Sequence, residues 1–343
     1  MKRMLNTLYV TTQDAYLARD GETVAIRVEQ ETKLRVPLHT LDGIVCLGRV
    51  GCSPALMASC GERDVAITWL TQYGRFQGRF IGPTTGNVLL RRAQYRMTDA
   101  QPDAAAIARP MLLAKIANCR TVLQRAIRDH GDDESGPALA DAARHLALMA
   151  RAVPEDAPLD TLRGLEGDAA REYFRVFDHL IVAQKPEFAF TRRTRRPPLD
   201  PVNALLSFLY ALLTHDCVSA LETVGLDPQV GFLHRDRPGR PSLALDLMEE
   251  FRPVLADRVA LSLINRKQVQ PQGFRQTESG AVLMDDDTRK ALLVAYQTRK
   301  QEELQHPFLQ EKIPAGLLSH AQALLLARYL RGDLDGYPAF VWR

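Results

Sequence analysis

The sequence predicts an α+β protein: a β-rich domain over residues 1–86, then a larger all-helical domain over residues 87–343. Three observations carry this. Short runs of alternating apolar and polar residues, parted by turn pairs, fill roughly the first 80 residues. Beyond Gly86-Asn87 they give way to long segments with apolar residues three and four apart. At 343 residues the chain also exceeds what one core ordinarily holds, so two cores are expected.

Leu8 to Thr12 is a β-rich run. Asp20-Gly21 parts Ala15–Ala18 from Thr23–Val28, the signature of a tight hairpin. Lys33 to Leu38 alternates again, and Gly43 to Leu47 is apolar enough for a buried strand. Ser53-Pro54 supplies an N-cap and a first-turn proline for a short helix ended by Gly61. Strands over Val65–Leu70 and Arg75–Ile81 close the domain. The second domain predicts helices over Val88–Met97, Asp103–Asp129, Gly136–Ala152, Pro158–Ala183, Pro201–Thr223, Leu243–Val254, Arg258–Asn265, Asp286–Gln305 and Gly316–Gly332. A small hairpin is expected at Phe274–Thr277 and Ala281–Leu283.

Five cysteines, odd in number and without a C-x-x-C pair, argue against a disulfide framework and a thiolate zinc site, and fit a reducing cytoplasm. Met1 to Asn6 carries two basic residues but no apolar run follows, and no segment is expected to reach the ~20 apolar residues of a membrane span. The net charge of +3 says little, but the charges are unevenly placed. Val65 to Thr98 holds Arg75, Arg79, Arg91, Arg92 and Arg96 with no acidic residue, and Phe188 to Leu199 holds Arg192, Arg193, Arg195 and Arg196. Each alone reads as a solvated face; two arginine-only stretches favour a polyanion partner.

The chemistry concentrates in Gly231 to Pro253. His234 sits on a polar Gly/Pro-containing loop, and Asp246, Glu249 and Glu250 follow within one helical turn. An imidazole with carboxylates three apart offers convergent ligands for a divalent ion. Carboxylates among apolar neighbours need a metal or an arginine to answer them, and Arg252 and Arg258 are at hand. Glu166 lies between Gly164 and Gly167, glycines that are costly inside a helix and suggest close approach of a backbone or ligand; Asp168 and Glu172 are nearby alternatives. Tyr210 fits either a core position or a contact with such a polyanion, and the aromatic stretch up to Trp342 fits docking on its own domain.

Four segments in this order resemble the CRISPR-associated integrase family, the large subunit of spacer acquisition (CRISPR-associated protein 1), most of all its type I-C members. They are Arg163-Gly164-Leu165-Glu166-Gly167, Phe190 to Ser207, Gly231-Phe232-Leu233-His234, and Ser242 to Pro253. The resemblance spans essentially the whole chain, including Gly82 to Val88. It implies a catalytic set of Glu166, His234, Asp246 and Glu249, with Glu166, His234 and Glu249 holding Mg²⁺ or Mn²⁺. Members often carry aspartate where this chain has Glu249, and Glu250 is the competing assignment. It further implies transesterification, in which the 3′-hydroxyl of a short foreign DNA attacks a CRISPR repeat, with water as the alternative nucleophile.

Arg192, Arg193, Arg195 and Arg196 are then expected to hold DNA phosphates. The partners implied are double-stranded DNA (prespacer and repeat), a homodimer formed through the β-rich domain, and a small second adaptation protein completing a heterohexamer, with no membrane. The rival expectations are a metal-dependent DNA-repair nuclease and a non-catalytic DNA-binding scaffold.

Overall fold

The computed structural model describes residues 7–83, 87–130 and 135–342. The basic start Met1–Asn6 and residues 84–86 of the Gly82–Val88 segment lie outside them. The chain divides into two compact units, Met1–Gly86 and Asn87–Arg343.

The first unit holds two four-stranded sheets. β2 (Ala15–Asp20) and β3 (Thr23–Val28) form the expected hairpin about Asp20-Gly21, with β4 (Glu31–Pro37) antiparallel to β3 and β6 (Val50–Cys52) parallel to β2. The sequence does not predict β6, a three-residue run broken by Gly51. In the other sheet, β5 (Gly43–Leu47) lies between β1 (Thr7–Val10) and β7 (Ala66–Leu70), parallel to both, and β8 (Phe76–Phe80) pairs with β7. All five residues of β5 are buried, as a central strand covered on both faces requires. Leu17, Val24, Ile44, Cys46 and Ile67 of the strands meet Leu56 and Cys60 of α1 (Pro54–Glu62) in one core. The Ser53 hydroxyl caps α1 by accepting from the Leu56 amide at 3.2 Å, as its sequence position implies.

The second unit is helical: α2 (Val88–Asp99), α3 (Gln101–His130), α4 (Gly136–Ala152), α5 (Leu159–Arg175), α6 (Pro201–Val224), α7 (Ser242–Glu249), α8 (Arg258–Asn265), α9 (Asp286–Gln301) and α10 (Leu318–Leu330). The expected hairpin appears as β9 (Phe274–Gln276) and β10 (Val282–Met284), and a second, unexpected one as β11 (Glu303–Gln305) and β12 (Lys312–Pro314).

α6 is the central helix. Asp200 caps it through the Asn203 amide at 2.8 Å, Pro201 fits its first turn, and Gly225 closes it in the left-handed region at φ +92°. Contrary to the sequence expectation, α6 is long and apolar enough to cross a membrane by length and composition. Most of its apolar stretch is buried inside this unit, with α7 and α10 packed against it.

Three helices end earlier than expected. α7 stops at Glu249, because Pro253 has no amide to donate back, and the chain passes into a π-type stretch over Pro253–Asp257. α5 stops at Arg175, where Phe177 turns to pack with Tyr173, Phe174 and Phe190. α9 stops at Gln301, because Glu303–Gln305 pair as a strand.

Candidate metal centre

Glu166, His234 and Glu249 come from α5, the loop before α7, and the last turn of α7. The loop is held by an acceptor nest. Asp246 is fully buried, and its Oδ2 accepts from the amides of Phe232 (2.6 Å) and Leu233 (2.9 Å). Its Oδ1 accepts from the His234 amide (2.9 Å) and faces His234 Nδ1 at 2.6 Å. Gly231 is required here, since a Cβ would stand 2.7 Å from both the Ser242 backbone and Asp246 Oδ2. A carboxylate engaged by four donors is a positioning group. Being acceptor-only, it holds a proton on Nδ1, and Nε2 faces Glu249 Oε1 at 3.9 Å. Both Asp246 oxygens are thus taken up by the loop amides and the His234 ring.

The elements around the loop are cross-tied. Arg163 on α5 donates through Nε to the Leu233 carbonyl at 2.6 Å, and Asp160 joins Arg163 (2.7 Å) to Arg235 (2.9 Å). Glu166 is thereby brought beside the histidine loop. Of the two approaches expected at Gly164 and Gly167, that of a second backbone does not occur: a Cβ at either meets nothing within 4 Å, and the α5 face beside Glu166 is open.

Glu249 is fully buried, yet neither of its side-chain oxygens accepts an aligned hydrogen bond. It meets cations instead: Arg252 Nη1 lies 2.5 Å from Oε1 and Lys115 Nζ 2.7 Å from Oε2. Burial alone would raise its pKa, but Arg252, Lys115 and His234 outweigh it and hold the carboxyl well below the usual range. Lys115, from the buried face of α3, also contacts Glu166 Oε1. Burial disfavours its charge, but Glu249 and Glu166 keep the ammonium more basic than an ordinary lysine. An ammonium group thus already lies between the two carboxylates.

These residues fit a hard divalent ion: two carboxylates with unfilled acceptor capacity, one imidazole with its second nitrogen oriented by a carboxylate, and a cation already attracted to the locus. The sequence reading misses Lys115, although a lone lysine in the apolar run Met111 to Ile116 is its signal. Of the two arginines expected to answer the carboxylates, Arg252 does so, while Arg258 lies over the Trp342 ring, 5.0 Å from its centroid.

Glu250 points elsewhere. It accepts from the Tyr337 hydroxyl (2.6 Å), the Phe340 amide (2.6 Å) and Gln322 Nε2 (3.0 Å), and burial pushes its pKa up to about 8 against those donors. The aromatic C-terminal stretch docks on its own unit, as expected. Asn118 on α3 bonds the Glu250 and Phe340 carbonyls and the Trp342 amide. The indole of Trp342 also lies under Arg125, 3.7 Å from centroid to guanidinium.

The arginine segment splits. Arg192, Arg195 and Arg196 are exposed or half-exposed, whereas Arg193 turns inward to Asn203 Oδ1 (2.6 Å) and the Ser207 hydroxyl (3.1 Å). Arg193 and Arg252 lie on the Tyr210 ring at 5.1 and 5.0 Å, and the Tyr210 hydroxyl donates to Asp257 at 2.7 Å. Tyr210 is thus occupied within the protein.

Among the described residues another imidazole–carboxylate group, Asp141, His145 and Glu172, joins α4 to α5. Its carboxylates are paired with Arg144 and Arg175, the latter 2.7 Å from Glu172, which makes it a salt-bridge network. Asp168 pairs with Arg171 on the surface.

The fold is shared with solved proteins. A CAS1 protein from Thermotoga maritima superposes with a TM-score of 0.79 at 23% identity, covering 98% of this chain and 99% of that one. A casposase bound to integration product superposes at 0.81 and 22% identity, covering 97% and 93%. The sequence profile described as CRISPR associated protein Cas1 matches residues 8–298. A protein of Chlorobaculum tepidum named CRISPR-associated endonuclease Cas1 1 is 55% identical over 343 residues, and one of Rhodospirillum rubrum named CRISPR-associated endonuclease Cas1 2 is 54% identical over 349, each aligned over the whole of both chains. The fold is therefore that of the Cas1 and casposase enzymes. The chain belongs to the CRISPR-associated protein Cas1 family, whose curated members at 54–55% identity are named endonucleases.

Proposed function

We propose that the protein is a CRISPR spacer-acquisition integrase with associated DNA endonuclease activity. The observation that carries this reading is that Glu166 and Glu249 share the Lys115 ammonium while His234 Nε2 stands 3.9 Å from Glu249. Mg²⁺ or Mn²⁺ held there would polarise a phosphodiester and stabilise the oxygen that leaves. The 3′-hydroxyl of a short duplex attacks a phosphorus of the repeat, forming one P–O bond as another breaks. Water in place of that hydroxyl gives cleavage.

The protein's own residues prepare this reaction. Asp246 holds His234 in the tautomer that presents Nε2, and Arg252 keeps Glu249 ionised. Arg192, Arg195 and Arg196 neutralise DNA phosphates, while Arg193 anchors their segment to α6. The β-rich unit forms the homodimer, and two such dimers flank a dimer of a small second adaptation protein to make a heterohexamer. A solved chain of a Cas6-RT-Cas1–Cas2 complex, TM-score 0.82 at 23% identity over all of this chain and 36% of that one, shares the fold. Five free cysteines accord with the cytoplasm.

The test combines the protein with the second adaptation protein, a CRISPR-repeat plasmid, a short duplex with free 3′-hydroxyls and Mn²⁺. Covalent insertion is the expected product, abolished in His234→Ala while DNA binding persists. Cleavage alone would instead make it a repair-type nuclease, and binding alone a scaffold.

A further inference from the structure

We propose that Lys115 is a built-in counter-cation that occupies the divalent ion's locus and yields it only when a DNA phosphate arrives, so that metal and DNA bind as a coupled pair. The inference rests on the reading that this centre holds a divalent ion against DNA.

Charge balance carries the argument. Glu166 and Glu249 face Lys115 and Arg252, two carboxylates against two cations, and Asp246 adds a third negative charge that three amides and the His234 ring solvate. With the ring neutral, as an ion ligand requires, the locus carries one net negative charge. A divalent ion added to it leaves one uncompensated positive charge beside a fully buried carboxylate, with the Lys115 ammonium still between the two carboxylates that would hold the ion, which a low-dielectric surrounding penalises. A phosphodiester brings the one negative charge that answers it and draws the Lys115 ammonium away from the carboxylates. Arg252 is unsuited to yield, being held between Glu249 and the Tyr210 ring. Lys115 has a flexible four-carbon stem, and its partner Glu166 is 24% exposed, which opens a path along the α5 face bared by Gly164 and Gly167.

The experiment is Mn²⁺ titration calorimetry of the full-length protein, with and without a short duplex, on wild type, Lys115→Met, Lys115→Arg and His234→Ala. Wild type is expected to bind Mn²⁺ roughly tenfold more tightly with duplex than without, within the ~5–150-fold range usual for coupled sites. By linkage, Mn²⁺ should tighten duplex binding by the same factor. Lys115→Met is expected to bind Mn²⁺ about tenfold more tightly than wild type without DNA and to lose most of the coupling, while Lys115→Arg keeps the weak DNA-free affinity. Unchanged or weaker Mn²⁺ binding by a folded Lys115→Met, with binding still abolished in His234→Ala, overturns this proposal and spares the centre. Mn²⁺ binding that survives His234→Ala overturns the centre itself. Should Lys115→Met not fold, the wild-type titrations decide: equal Mn²⁺ affinity with and without duplex overturns the coupling.

Discussion

His234 Nδ1 lies 2.6 Å from Asp246 Oδ1, and this pairing decides which ring nitrogen of the histidine is available. In Asp246→Asn an amide would face four donors with a single acceptor oxygen. Metal affinity and strand transfer should both fall about 10–100-fold, the usual cost of removing a group that orients a ligand histidine. Mn²⁺ titration beside the integration assay checks this; an unchanged affinity would mean that the loop amides alone hold the ring.

The outward and inward arginines should separate under salt. A triple Arg192→Ala, Arg195→Ala, Arg196→Ala variant should keep its melting temperature but show a shallower dependence of DNA affinity on salt, by about 0.9 in the log–log slope for each phosphate no longer neutralised. Arg193→Ala should instead destabilise the helical unit by about 1–3 kcal/mol, because Asn203 Oδ1 and Ser207 would be deprived of a buried charged partner. Filter binding across a salt series and thermal melts distinguish the two.

Gly164 and Gly167 supply a test of the open face on α5. With nothing near their Cβ positions, alanine at each should stabilise the helix by roughly 0.5–1 kcal/mol. Thermal melts of Gly164→Ala and Gly167→Ala read this directly, and a lower midpoint would show that the face is covered in the folded protein.

Asp257 gives stability a pH dependence of definite sign. Burial raises its pKa to about 6 from an ordinary 3.8, with Tyr210, Tyr173 and Arg252 offsetting part of the rise. Between those values the folded state binds more protons than the unfolded state, so this group's stabilisation is complete below about pH 4 and declines as pH rises through 6. The change amounts to at most ~3 kcal/mol, at about 1.4 kcal/mol per pH unit. Denaturant melts across this window should slope downward in wild type and run flatter in Asp257→Asn.

Most of the elements are legible in the sequence because their signals are local: Asp20-Gly21 and Ser53-Pro54 each punctuate the chain where the structure turns or caps. The elements that escape it depend on tertiary pairing. β6 and β11 are short strands that mean nothing until a partner lies alongside, and α7 reads too long unless the effect of Pro253 four residues back along the helix is weighed. In the centre, residue type and resemblance name the histidine and carboxylates but not their division of labour. Three loop amides pointing at Asp246 make it a positioning group, and Tyr337 and Phe340 around Glu250 take it out of the site. Lys115 is hidden because one charge in an apolar run has no meaning without its distant partners.

Asn118, one turn beyond Lys115 on α3, bonds both the Glu250 carbonyl and the stretch that ends at Trp342. The cluster thus draws on residues 115, 166, 234, 249 and 342, pairings of long sequence separation that form late during folding. A chain emerging from the ribosome folds its N-terminal part first. It lacks the clamp behind Glu249 until residues 337–342 have been synthesised. A chain that stops short of residue 337 therefore lacks the contacts that Tyr337, Phe340 and Trp342 make with Glu250 and Asn118 behind Glu249.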